Sequence, residues 1–123
     1  MSIKTKVPGQ EQPINPRCLL TRDVPAVCLR LQSHRQRIAL PYALLLRVEL
    51  SEDETTCAII FATHEVSVQG RHLEQVYLAV SQGQAVQIAI GQSEGIPEGT
   101  IVLGPLVTKV RIEPIGESDR ARR

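Results

Sequence analysis

Hydrophobic residues along this chain recur in two rhythms. Val27, Leu29 and Leu31 alternate with Cys28, Arg30 and Gln32, and after the polar stretch Ser33-His34-Arg35-Gln36 the alternation returns with Ile38 and Leu40. Successive side chains of an extended strand point to opposite faces, so this segment reads as a hairpin with a polar tip. Upstream, Cys18 to Leu20 is a candidate short edge strand, and Asp23 and Pro25 mark a turn. Pro41 offers no N–H to a ladder, so the chain must bend there or lie at an edge. The residues after it suit one short helical turn begun by the proline. Between Leu45 and Leu50, period two predicts Leu46, Val48 and Leu50 on one face and Arg47 and Glu49 on the other. Glu52, Asp53 and Glu54 then form an acidic tip leading into the unbroken apolar run Cys57 to Ala62.

The second rhythm follows a strand at Glu65 to Gln69, in which Val66 and Val68 share a face. Leu73, Val76, Tyr77 and Val80 fall at i, i+3, i+4 and i+7, one stripe of a helix. Gly83 stands where a helix end favours a left-handed residue. Val86, Ile88 and Ile90 resume period two, Gln92 to Gly99 is loop-like, and Ile101 to Leu103 and Val107 to Ile112 give two last strands. The sum is an α+β fold: a mostly antiparallel β meander, a small roll or partly closed barrel, with one packed α-helix near residues 71–82. Residues 1–16 and 116–123 are expected to be disordered tails around a single β-rich domain at 17–115. Ala43 to Leu46 and Cys57 to Ala62 are apolar on both faces. One helix covers only one of them, so the C-terminal strands folded back as a second layer, together with a second subunit, are expected over the other.

Composition narrows what the fold can do. With 123 residues and a net charge of +1, the chain has room for one core and no overall field that favours nucleic acid or anionic membrane. No apolar run approaches the roughly 20 residues of a membrane span, and the N-terminus lacks the apolar stretch of a secretory signal. Three cysteines without CxxC spacing point to a reducing, cytoplasmic setting rather than a disulfide framework. Tyr42, Phe61 and Tyr77 are the only aromatic residues. The core is therefore packed from aliphatic side chains, and platforms for stacking bases are scarce.

Charge is uneven within that near-neutral total. Arg17, Arg22, Arg30, Arg35, Arg37 and Arg47 lie in one stretch that holds only Asp23 as an acid. Arg30 and Arg37 flank the hairpin tip, where a regular register makes them cross-strand neighbours. Arginine suits bidentate phosphate contacts, which makes Arg30, Arg35, Arg37, Arg47 and Arg71 candidate nucleic-acid-binding residues, directed at the backbone rather than the bases. The competing reading is a solvated face that pairs with Glu49, Glu52, Asp53 and Glu54. His64, Glu65 and His72 hold the atoms of a ligand or acid–base site, although no HxxxH, HExxH or CxxC spacing makes them converge. Gly70, Arg71 and His72 before the helix are either an anion-binding turn or merely the bend from strand to helix.

No catalytic constellation, cofactor motif or metal-ligand spacing emerges. The expectation is a non-catalytic interaction or assembly module that self-associates as a homo-oligomer and binds an unidentified protein partner. Nucleic-acid binding through the arginine-rich hairpin is the alternative.

Overall fold

The computed structural model describes residues 17–91 and 104–115. The expected tails at 1–16 and 116–123, the loop at 92–99 and the strand at 101–103 lie outside the described residues. Among the described residues, eight strands make two four-stranded sheets. The first contains β1 (Leu19–Thr21), β2 (Cys28–Gln32), β3 (Arg37–Pro41) and β7 (Ala85–Ala89), in the order β1-β7-β2-β3. The second contains β4 (Leu45–Leu50), β5 (Thr56–Phe61), β6 (His64–Arg71) and β8 (Leu106–Pro114), in the order β4-β5-β6-β8. A 3₁₀ turn at Tyr42–Leu44 joins the sheets, and the helix α1 (Glu74–Ser81) carries the chain back from the second to the first. The α+β class and the helix position follow the periodicity of the sequence.

Both inner faces and the buried stripe of α1 share one hydrophobic cluster. Cys57, Ile59 and Phe61 of β5, Val66 and Val68 of β6, Leu29 and Leu31 of β2, and Leu73, Val76 and Val80 of the helix stripe are all at most 1% exposed. The helix packs on β4 and β7. At its end, Gly83 takes φ +72, its N–H donates to the Val80 carbonyl, and the Gln84 N–H donates to the Ala79 carbonyl. These two bonds satisfy carbonyls that an ending helix leaves orphaned, and glycine adopts the required conformation without strain.

Several details differ from the expected meander. Among the described residues, all pairings are antiparallel except one: β7 inserts between β1 and β2 and runs parallel to β2. The second layer over β5 is this first sheet, whereas C-terminal β8 joins the sheet of β5, beside β6. Among the described residues, neither sheet closes into a barrel. A bulge between Leu45 and Arg47 shifts the face of β4, so that Leu45 lies opposite Phe61 and packs on the core while Leu46 is 64% exposed. Val86 is likewise skipped in the β1–β7 register, leaving Ala85 and Ile88 as the buried residues of β7. No helix among the described residues is long and apolar enough to cross a membrane.

Candidate functional site

The β2–β3 hairpin pairs Arg30 with Ala39 and Gln32 with Arg37. Leu29 and Leu31 point into the core, so period two sends Arg30 and Gln32 to the solvent face of the first sheet, and the register brings Arg37 and Ala39 to the same side. Arg30 and Arg37 are diagonal neighbours there, with β-carbons roughly 7 Å apart. Parallel pairing sets Gln87 of β7 opposite Arg30. The outcome is a shallow trough of about 340 Å³, with the two arginines and the two glutamines around its small floor residue, Ala39.

The hairpin tip is ordered by one side chain. The Ser33 hydroxyl accepts from the Arg35 and Gln36 N–H groups at 3.2 and 3.1 Å, and the Ser33 N–H donates to the Gln36 carbonyl at 2.9 Å. Serine closes such turns by substituting its oxygen for a backbone acceptor. His34 and Arg35 are thereby held exposed at one end of the trough sheet.

Ion pairing distinguishes the arginines. Arg47 meets Glu49 at 2.7 Å on the second sheet, and Arg111 meets Glu113 at 3.0 Å. Among the described residues, Arg30, Arg35 and Arg37 have no carboxylate within ion-pair reach. Within the acidic tip at 52–54, Asp53 is engaged by its own neighbours. Asp53 accepts from the Thr55 and Ser51 hydroxyls, each at 2.8 Å, and these bonds, Thr55 first, hold its carboxyl below the usual carboxylate range. The structure thus gathers Arg30, Arg37 and, at the tip, Arg35, and puts Arg47 and Arg71 on the other sheet.

The histidine group does not assemble. His64 opens β6 and His72 follows its end, separated by the length of an eight-residue strand, roughly 25 Å. Glu65, next to His64, points to the opposite face. His72 instead borders a separate hollow with Glu54 and Glu74. The described residues contain no cluster of three or more His, Cys, Asp or Glu side chains able to hold a metal.

The turn into the helix is no anion nest either. Gly70 lies within β6 and its N–H donates to the Thr55 carbonyl at 3.0 Å, while the Leu73 N–H donates to the Glu54 carbonyl at 3.2 Å. The left-handed residue of this turn is His72, at φ +57.

Sequence reasoning passed over Gln32 and Gln87. Pairing the hairpin would have revealed Gln32 opposite Arg37. Gln87 carries no such signal, because its place depends on the parallel insertion of β7. Compared with protein-family models, with curated proteins and with solved structures, the chain has no match.

Proposed function

We propose that this protein is a non-catalytic binding module that grips the phosphate backbone of nucleic acid through the outer face of β2 and β3. The carrying observation is the pair of guanidinium groups of Arg30 and Arg37 around one trough, without a carboxylate partner among the described residues. Guanidinium forks match phosphate oxygens in bidentate geometry, and the amides of Gln32 and Gln87 add neutral donors. Arg35 extends the charge to the tip. Phe61 is buried, Tyr42 and Tyr77 pack against the core, and the Tyr42 hydroxyl donates to the Ala85 carbonyl at 2.6 Å, so none of the three serves as a stacking platform. Binding is therefore directed at the backbone and tolerant of sequence. The buried thiol of Cys57 fits a reducing, cytoplasmic setting.

Fluorescence anisotropy with labelled single- and double-stranded oligonucleotides tests this reading. Three phosphate contacts weaken affinity about 20- to 40-fold between about 50 and about 200 mM salt, and two fewer contacts leave a fall of only about 3-fold. The Arg30→Ala/Arg37→Ala variant should show the smaller dependence and weaker binding, whereas Arg71→Ala, on the other sheet, should behave as the parent. No binding at the lower salt, or a salt dependence untouched by the double substitution, overturns the proposal.

A further inference from the structure

The outer face of the second sheet has a different character. Its register lines up Arg47, Ile60, Glu65 and Glu113 in one row across the four strands, and Glu49, Ala58, Ser67 and Arg111 in the next. Charges occupy the four corners: plus and minus on edge strand β4, minus and plus on edge strand β8. Like charges sit on the diagonals. Between the corners lie half-buried Ala58, Ile60 and Ser67 and the exposed Glu65.

A rectangle of charges with this alternation is complementary to itself. A two-fold axis in the plane of the sheet, perpendicular to the strands, lays one row of one copy over the other row of its partner. Arg47 then faces Glu49 of the partner subunit, Glu113 faces Arg111 of the partner subunit, Ile60 meets Ala58 of the partner subunit, and Glu65 meets a serine hydroxyl. The other in-plane axis, along the strands, also opposes unlike corners but buries Ile60 against the partner's Glu65 carboxylate. Burying a carboxylate on an apolar side chain is costly, so the perpendicular axis is favoured. An isologous contact of this kind closes at two subunits.

We infer that the outer face of β4, β5, β6 and β8 is a homodimer interface in which a second copy docks sheet to sheet about this perpendicular axis. The face measures about 19 by 20 Å from strand spacing and rise, below the roughly 800 Å² per partner of a standard interface. The dimer therefore belongs to the weak, micromolar class. Its residues are separate from Arg30 and Arg37, so it stands or falls independently of phosphate binding. Both β2–β3 faces stay uncovered in it, which gives a bivalent particle.

Sedimentation velocity from about 1 to about 500 µM brackets such affinities and should show a reversible monomer–dimer equilibrium. Arg47→Glu sets like charges against each other across the interface and should shift the midpoint at least tenfold upward. Adding Glu49→Arg reverses both charges of β4, and under the perpendicular axis the two remain opposed across the interface, so Arg47→Glu/Glu49→Arg should restore the dimer. Under the axis along the strands this double variant sets glutamate against Glu113 and stays monomeric. A parent protein monomeric throughout the range, or a double variant that fails to recover while its thermal unfolding matches the parent, overturns the inference.

Discussion

A β-carbon added at Gly70 would lie 1.8 Å from the backbone carbonyl oxygen of Leu106. Backbone cannot swing aside as a side-chain tip can, so β8 would have to leave its register. Gly70→Ala is expected to destabilise by more than about 3 kcal/mol, read as a large fall in the urea midpoint. Gly83→Ala meets only an ordinary contact, the Pro25 side chain at 3.9 Å, and violates only the preferred sign of φ, at about 1 kcal/mol. The need at Gly83 is visible in the sequence, because it follows a helical stripe. The need at Gly70 is not, since its cause is a strand distant along the chain. Three groups shielded from water, buried Cys57 and Cys18 and half-buried Tyr42, add a pH dependence, with the Cys18 thiol also pushed up by burial. Burial pushes the Cys57 thiol and the Tyr42 hydroxyl up to about 12 each, from ordinary values of 9.0 and 10.0. The unfolded chain releases these protons first, so their contribution to stability is full below pH 9 and drains as pH rises toward 12. Urea midpoints should fall across that window, and Cys57→Ala should flatten its lower part.

At the scale of elements, the apolar alternation of β4 holds at Val48 and Leu50 and slips only at its start. Leu46 completes the pattern Leu46, Val48, Leu50 in the sequence, yet the bulge hands its place in the core to Leu45. An extra residue in one strand breaks period two without altering composition, so nothing local reveals it. Leu46→Gln should leave stability within about 0.5 kcal/mol of the parent. Leu45→Gln puts an amide beside Phe61 and should cost about 1–3 kcal/mol, both read by chemical denaturation at low micromolar protein. Elements without such slips were legible. The β2–β3 hairpin and the helix stripe Leu73, Val76, Val80 follow from spacing alone, and with the hairpin came the juxtaposition of Arg30 and Arg37.

For the whole molecule, the sequence pattern conveys the α+β class and one helix but not the division of strands between sheets. Which strand β7 joins is a choice among distant partners of similar apolar character, made by the fit of the whole core. For the same reason the arginine set looked larger from the sequence than it is in space, since Arg47 and Arg71 are near the hairpin in sequence or composition but belong to the other sheet. The position of β7 also orders events in time. Its neighbours β1 and β2 are made early, but among the described residues β1 pairs only with β7, and the gap between β1 and β2 stays open until residues near Ala89 leave the ribosome. Pairing strands so far apart in sequence is slow, and an unpaired edge invites association in the meantime. Strand β1 is therefore expected to be the last to gain order during synthesis, and a nascent chain halted after β6 would present the arginine-bearing hairpin with its inner edge bare.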